Sequence, residues 1–124
     1  MAKILVIDDD ASLLQMVTII LKRAGHEALV ATEAKEGYDL AQSGHPDLIL
    51  LDIMMPGVNG YQVCMALRKA EASKSVPILM LTALTESEHR GRAEDAGADG
   101  FVTKPITSGE LVKTINDALL LQHH

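Results

Sequence analysis

The sequence predicts a doubly wound α/β domain in which one five-stranded parallel sheet carries five helices, divided between its two faces. Short runs of branched apolar residues alternate along the chain with longer segments whose apolar residues recur at helical spacing. The apolar runs are nearly continuous, which is typical of parallel strands that are buried on both faces by the helices of right-handed crossovers. We therefore expect a sheet between two helical layers, in the common strand order 2-1-3-4-5.

Each element is predicted from its own stretch of sequence. The first strand, ILVI, leads into a segment whose apolar side chains share one helical face, and Gly25 follows as a C-terminal cap. The same strand-then-helix unit recurs to the end of the chain. The predicted strands are 4–7, 27–32, 47–52, 77–82 and 100–104, and the predicted helices are about 13–24, 34–44, 60–70, 86–96 and 108–121.

Length and composition favour one small domain with an aliphatic core. The chain has 124 residues, which suits a single domain spanning 1–124. Hydrophobic residues make up 48% of the chain, yet its only aromatic residues are Tyr38, Tyr61 and Phe101. Phe101 therefore stands out against an aliphatic background. His123 and His124 resemble the remnant of a purification tag and are given no role.

The charge pattern argues against direct binding of nucleic acid or of an anionic membrane. The formal net charge is -6, and the basic residues are scattered singly or in short pairs. No signal-peptide pattern follows Met1, and no apolar run is long enough to span a membrane. The single cysteine, Cys64, is interpreted as helix packing and suits a reducing compartment. We expect a cytoplasmic protein whose partners are proteins.

Polar residues follow four of the predicted strands, at the point where each strand ends. Asp8 and Asp9 follow the first strand, and Asp52 ends the third. Thr82 ends the fourth strand, and Lys104 ends the fifth. The carboxyl ends of parallel strands meet at one edge of the sheet, and ligands bind there, where the strand order reverses. The sequence thus predicts a cluster of carboxylates with a hydroxyl and an amine nearby.

Such a cluster needs compensating positive charge. Two like charges about 4 Å apart repel by roughly 4 kcal/mol at an effective dielectric of about 20. A divalent cation together with Lys104 would balance the three carboxylates. Oxygen-only ligands favour Mg²⁺, with Mn²⁺ as a substitute. Without metal, we expect at least one carboxyl group to have a raised pKa.

A metal, a carboxylate, a hydroxyl and an ammonium group are the parts that phosphoryl transfer needs. The carboxylate attacks phosphorus, while the cations and the hydroxyl stabilise the equatorial oxygens. Asp52 is the predicted nucleophile because it stands alone at its strand end. The loop after it contains Pro56, Gly57 and Gly60.

Four stretches of the sequence resemble the motif regions of one known family. ILVIDDD, LILLDIMMPGVNG, ILMLTA and GADGFVTKPI occur in the order and at the separations found in response-regulator receiver domains, and the likeness covers essentially the whole chain. The resemblance is to chemotaxis regulators and other receivers of two-component signalling. It implies the flavodoxin-like fold and a signalling switch that is no enzyme, since it catalyses only its own phosphotransfer and slow autodephosphorylation.

The resemblance also implies a donor and a metal site. Asp52 would accept a phosphoryl group from a phosphohistidine of a sensor histidine kinase or of a histidine phosphotransfer protein. Asp9, Asp52 and the backbone carbonyl of Met54 would bind Mg²⁺, with Asp8 behind them. Met54 and Leu84 flank the path of hydrolytic water in the family, and both are apolar, so we hypothesise a fairly long-lived phosphorylated form.

A switch is implied as well. Thr82 and Lys104 would contact the phosphoryl oxygens, and Phe101 occupies the family's aromatic switch position. Movement of Thr82 toward the phosphoryl group would let the ring turn inward and repack the surface of the fourth helix, fifth strand and fifth helix, where a downstream protein binds. In the family the peptide bond corresponding to Lys104–Pro105 is cis.

Several alternatives stay open at this stage. Asp8, Asp9 and Asp10 could cap the first helix, since carboxylates favour its N-terminus, and this is our interpretation of Asp10. A haloacid-dehalogenase-type phosphatase would use Asp8 and Asp10, but it would leave Asp52 unexplained and needs a further acidic pair. A receiver-like module could act through its surface without phosphate. The chain fits either a stand-alone receiver or a piece of a longer regulator, and the sequence names neither kinase nor pathway.

Overall fold

Five parallel strands form the central sheet of the computed structural model, which describes residues 1–83 and 95–121. The elements along the chain are β1 (Lys3–Ile7), α1 (Ala11–Arg23), β2 (Glu27–Ala31), α2 (Ala34–Ser43), β3 (Leu48–Asp52), β4 (Met54–Met55), β5 (Val58–Asn59), α3 (Gly60–Lys69), β6 (Ile78–Thr82), β7 (Gly100–Thr103) and the C-terminal helix (Ser108–Leu121). The sheet order is β2-β1-β3-β6-β7, and every neighbouring pair is parallel. Strands β6 and β7 are the predicted fourth and fifth strands, so the predicted order 2-1-3-4-5 is confirmed together with the fold class.

Four helices are described in full, and the predicted fourth helix is the exception. Of its range, 86–96, only Asp95 and Ala96 belong to the described residues, and both are helical. Leu84, His123 and His124 also lie outside them. Among the described helices, none is both long and apolar enough to cross a membrane.

The first helix shows how local sequence sets an element. The side chain of Asp10 accepts hydrogen bonds from the backbone N–H groups of Ser12 and Leu13, at 3.0 and 3.2 Å, and so caps the N-terminus of α1. At the other end Gly25 has a φ of +85°, a conformation that costs glycine little. Both capping predictions are confirmed.

The core lies on both faces of the sheet because alternate strand residues point to opposite sides. Leu5, Ile7, Ile49 and Leu51 pack on the side of α2 and α3, together with Cys64. Burial raises the pKa of the Cys64 thiol to about 11, which agrees with its interpretation as a packing residue. The opposite side is packed by α1 and the C-terminal helix, and its buried members include Ile4, Val6, Leu48, Leu50, Leu14 and Leu111. Each fully buried Leu or Ile contributes about 1.5–3 kcal/mol relative to exposure.

A small hairpin after β3 departs from the predicted loop. Strands β4 and β5 pair antiparallel, and Gly57 turns the chain between them with a φ of +71°. Gly60 then starts α3 so close to the preceding backbone that a Cβ atom there would lie 2.6 Å from Ile53 Cα. Two-residue strands show no alternation in sequence, which is why the pattern indicated only a loop.

Candidate functional site

Three carboxylates meet at the carboxyl edge of the sheet, as the argument from strand ends predicts. Asp8 directly follows β1, and Asp52 ends the neighbouring strand β3, where Ile7 pairs with Leu51. Asp8, Asp9 and Asp52 each offer a carboxylate oxygen, and these oxygens all lie within 4.8 Å of one another. Residues 43 positions apart in sequence, Asp9 and Asp52, thus share one site.

The three carboxylates differ in their exposure to solvent. Asp8 is fully buried and Asp52 is 4% exposed, whereas Asp9 faces solvent. One oxygen of each buried carboxylate accepts a backbone hydrogen bond: Asp8 Oδ1 from the N–H of Asp10 at 2.9 Å, and Asp52 Oδ1 from the N–H of Met54 at 3.2 Å. Buried charges of this kind are stable only when they are paired and hydrogen-bonded.

Lys104 supplies positive charge to both buried carboxylates. Its Nζ atom lies 3.1 Å from Asp8 Oδ2 and 3.6 Å from Asp52 Oδ1. The residue follows the end of β7, where its backbone N–H donates to the carbonyl of Thr82 at 2.7 Å. The peptide bond from Lys104 to Pro105 is cis, as the resemblance implies. One ammonium group facing three carboxylates leaves the site with an excess of negative charge.

The pKa of Asp52 is raised above its ordinary value. Burial is the largest cause and the neighbouring charge of Asp8 the next, and they outweigh the opposing effects of the Met54 N–H and of Lys104. This agrees with the expectation that one carboxyl of a metal-free cluster has a raised pKa. Burial alone would lower the pKa of Lys104, but Asp8 and Asp52 more than compensate, so its pKa is raised and the ammonium form is favoured.

The donor set fits a hard divalent cation. Asp8 Oδ2 is buried, and among the described residues it is paired with the Lys104 ammonium group at 3.1 Å. The clustered ligands are all carboxylate oxygens, which Mg²⁺ and Mn²⁺ prefer. The excess negative charge favours a cation at this place, and the exposed carboxylate of Asp9 is open to solvent.

Thr82 and Phe101 lie on the last two strands of the sheet, at different distances from the carboxylates. Thr82 ends β6, is 3% exposed, and follows Leu81, which pairs with Asp52 across the sheet. Phe101 lies on β7 opposite Met80, is half-buried, and packs against the core on the side of α2 and α3. Thr82 is thus next to the carboxylate edge, whereas Phe101 is further back along its strand.

Two details of the site were missed or left open by the sequence. Asn59 caps α3 by accepting the backbone N–H of Tyr61 at 2.9 Å; an Asn before a predicted helix start is a signal that could have been used. Asp10 belongs to the helix cap and is not part of the carboxylate cluster found among the described residues.

Comparison with known proteins agrees with this geometry. Residues 4–116 match the model of the response regulator receiver domain. The DNA-binding dual master transcriptional regulator RpaA of Synechocystis is 40% identical over 119 residues, which are 96% of this chain and 49% of RpaA. The DNA-binding response regulator MtrA of Mycobacterium tuberculosis is 41% identical over 117 residues, 94% of this chain and 50% of MtrA. The chain spans about half the length of these curated relatives.

Solved structures agree as well. The chemotaxis protein CheY4 of Vibrio cholerae superposes with a TM-score of 0.91 at 36% identity, over 95% of this chain and 98% of that one. A putative response regulator from Chloroflexus aurantiacus gives a TM-score of 0.89 at 31% identity, over 96% and 98% of the two chains. The fold, the carboxylate edge and the sequence match point the same way: this chain belongs to the response regulator receiver domain family.

Proposed function

We propose that residues 1–124 form a single receiver domain in which Asp52 accepts a phosphoryl group from a phosphohistidine of a sensor histidine kinase or of a histidine phosphotransfer protein. Receiver domains are the phosphoryl-accepting switches of two-component systems, so the proposal concerns the residues and partners of this chain. The observation that carries it is the position of Asp52: a buried carboxylate at the sheet edge, 3.6 Å from the Lys104 ammonium group.

In the proposed transfer, an oxygen of Asp52 forms a bond to phosphorus while the bond between phosphorus and the donor imidazole nitrogen breaks. The electron pair of that bond returns to the imidazole, which takes up a proton. The reaction gathers negative charge on the phosphoryl oxygens, and the ammonium group of Lys104 neutralises part of it. The hydroxyl of Thr82 donates a hydrogen bond to one of the same oxygens.

Receiver domains bind Mg²⁺ at an acidic pocket, and we propose that Asp9, Asp52 and the backbone carbonyl of Met54 hold the ion here, with Asp8 behind them and Mn²⁺ as a substitute. When bound, the ion neutralises the phosphoryl oxygens and keeps Asp52 in its anionic, nucleophilic form. The support for this assignment is the oxygen-only donor set and the excess of negative charge that one ammonium group leaves among three carboxylates.

The proposed output is a change of surface. When Thr82 moves toward the phosphoryl group, the half-buried ring of Phe101 turns inward and alters the face made by β7, the C-terminal helix and the predicted fourth helix, most of which lies outside the described residues. A downstream protein binds that face. The DNA binding in the names of RpaA and MtrA is a property of those longer proteins, and we propose no direct nucleic-acid contact for this chain.

Incubation with acetyl phosphate and Mg²⁺, followed by intact mass measurement, tests the proposal. The expected product is an alkali-labile adduct of one phosphoryl group that is absent from Asp52→Asn. Asp39→Asn is the matched control because it makes the same chemical change on an exposed side chain of α2. An adduct that persists in Asp52→Asn contradicts the assignment. No adduct at all favours a phosphate-independent binding module, and steady phosphate release that depends on Asp8 favours a phosphatase.

A further inference from the structure

The N-terminal end of β7 lies opposite the carboxylate edge, and one arginine links it by hydrogen bonds to the segment before β6. Arg68, near the end of α3, donates from Nε to the carbonyl of Gly97 at 2.8 Å and from Nη2 to Asp99 Oδ2 at 2.6 Å. Its Nη1 atom donates to the carbonyl of Val76, just before β6. The guanidinium group therefore links the segments that enter β6 and β7.

Asp99 connects Arg68 to the sheet through hydrogen bonds to Ile78. Its Oδ2 atom accepts the backbone N–H of Ile78 at 2.8 Å, and its own N–H donates to the carbonyl of Ile78 at 2.8 Å. Ile78 begins β6 and Asp99 directly precedes β7, so this pair of bonds sets where the two strands start relative to each other. We refer to the contacts among Arg68, Asp99 and Ile78 as the clasp.

The space around the clasp is shaped to hold the arginine. Gly97 has a φ of +96°, and a Cβ atom there would lie 2.8 Å from Arg68 Cγ, so the arginine stem passes directly over a backbone that only glycine leaves open. The Arg68 side chain is 20% exposed and that of Asp99 40% exposed. An arginine that is partly buried and donates to several fixed acceptors is more specific in geometry than a solvated surface pair.

The position of β7 depends on the clasp because β7 is the edge strand of the described sheet and pairs only with β6. Its other end is fixed to β6 by the bond from the Lys104 N–H to the Thr82 carbonyl, at 2.7 Å. The clasp and that bond stand at opposite ends of the ladder. A shift of β7 by one residue would move every side chain of the strand to the other face and carry Lys104 away from the carboxylates.

We propose that Arg68 is a positioning residue for Lys104: by holding Asp99 against Ile78, it fixes the register of β7 on β6 and so sets the ammonium group beside Asp8 and Asp52. The effect on phosphoryl transfer rests on the proposed function, whereas the effect on register does not.

The test uses Arg68→Met, which keeps the apolar stem and removes the donors. Lys69→Met is the matched control, since it makes the same loss of charge at an exposed neighbouring position of α3. Amide hydrogen exchange, followed by NMR, should be roughly tenfold faster at Val102 and Lys104 in Arg68→Met than in the control, with Val6 of β1 unchanged. Equal exchange in the two variants, or equal acceleration at Val6, overturns the proposal. If Arg68→Met does not fold, Asp99→Asn takes its place, because it keeps an oxygen for the Ile78 N–H but cancels the ion pair.

A second readout separates positioning from general stability. The rate of phosphoryl uptake from acetyl phosphate should fall about tenfold in Arg68→Met. Mg²⁺ affinity should not fall below that of the control, because the carboxylates that follow β1 and end β3 lose only a competing ammonium group. Arg68→Lys, which keeps the charge opposite Asp99, should restore part of the rate. Faster exchange with an unchanged uptake rate overturns the positioning role. If the unmodified chain takes up no phosphoryl group, the proposed function fails. The hydrogen-exchange result then decides by itself whether the clasp fixes the register of β7.

Discussion

The ammonium group of Lys104 lies 3.6 Å from Asp52 Oδ1, although Lys104 follows β7 and Asp52 ends β3, which are not neighbours in the sheet. Strand β6 separates β3 from β7, and Lys104 reaches across its end from the loop after β7. The same Nζ atom lies 3.1 Å from Asp8 Oδ2. One cation therefore spans the edge of the sheet and holds two buried negative charges.

Replacing Lys104 by glutamine should slow phosphoryl uptake. The amide keeps most of the side-chain length but removes the charge that neutralises the phosphoryl oxygens, and removing one such donor costs about 10²–10³ in rate. Lys113→Gln, on the exposed face of the C-terminal helix, should leave the rate unchanged. The measurement is the time course of adduct formation by intact mass. Similar rates in the two variants would contradict the role given to Lys104.

Replacing Asp52 by asparagine should stabilise the fold at neutral pH. Because the pKa of Asp52 is raised in the folded chain, the folded state binds that proton more tightly than the unfolded state does. The contribution of Asp52 to the free energy of unfolding therefore rises as the pH falls through its pKa in the folded state. Above that pKa the buried carboxylate is ionised and destabilises the folded chain.

Thermal melts of Asp52→Asn and of the unmodified chain check this prediction. We expect a melting temperature a few degrees higher for Asp52→Asn at pH 7, with the difference shrinking as the pH is lowered through the pKa of Asp52. The exposed control Asp39→Asn should show no such trend. A melting temperature lowered by Asp52→Asn at pH 7 would contradict the electrostatic description of the site.

Mg²⁺ should raise the melting temperature through the carboxylate cluster. Binding to the folded state alone stabilises by about 2.7 kcal/mol at a free concentration of one hundred times Kd. Asp9 is exposed, so Asp9→Asn should change the metal-free stability by less than about 0.5 kcal/mol. It should nevertheless abolish most of the Mg²⁺-dependent rise. An undiminished rise would place the ion elsewhere.

Met54→Asn should shorten the life of the phosphorylated form. Met54 is 67% exposed and lies two residues beyond Asp52, where an amide can hold the water that attacks phosphorus. The substitution removes little buried surface, so stability should hardly change. Decay of the adduct after removal of acetyl phosphate measures the lifetime, with Met65→Asn on the exposed face of α3 as the control. Leu84→Glu is the companion variant at a position outside the described residues. Equal lifetimes would argue against a role for these apolar side chains.

Gly60→Ala should destabilise the chain and disturb the acceptor. A methyl group at this position would lie 2.6 Å from Ile53 Cα and 2.8 Å from the backbone carbonyl oxygen of Asp52, so backbone must move. Overpacking of this kind costs about 1–3 kcal/mol. Gly109→Ala is the control, because no heavy atom of the described residues beyond its own helix backbone and chain neighbours lies within 4 Å of the added methyl group, and alanine favours the helix. Urea denaturation measures both. Equal or greater stability in Gly60→Ala would contradict the close packing described here.

The sequence predicts the sheet and the meeting of Asp8, Asp9 and Asp52 because both follow from simple periodic rules. Apolar runs identify the strands, parallel pairing brings their ends together, and four of the five strands are followed by or end in a polar residue of the site. The exposure of individual side chains does not follow from such rules. Asp8 is fully buried and Asp9 exposed, although both directly follow β1.

The clasp could not be predicted from pattern. Arg68 and Asp99 are 31 residues apart, and their contact depends on the loops that precede β6 and β7, whose paths are set by tertiary packing. An arginine near a helix end and an aspartate before a strand are ordinary surface residues in sequence. The β4–β5 hairpin escaped prediction for a related reason, since its two-residue strands are defined by pairing with each other.

Mapping the residue that carries the phosphoryl group decides whether Asp52 is the acceptor. Borohydride reduces an aspartyl phosphate to homoserine, so the chain can be phosphorylated, trapped, digested and sequenced by mass spectrometry. We predict that homoserine replaces aspartate at Asp52 alone. Homoserine at Asp8 or Asp9, or a phosphoryl group on a histidine with Asp52 unmodified, would contradict the account.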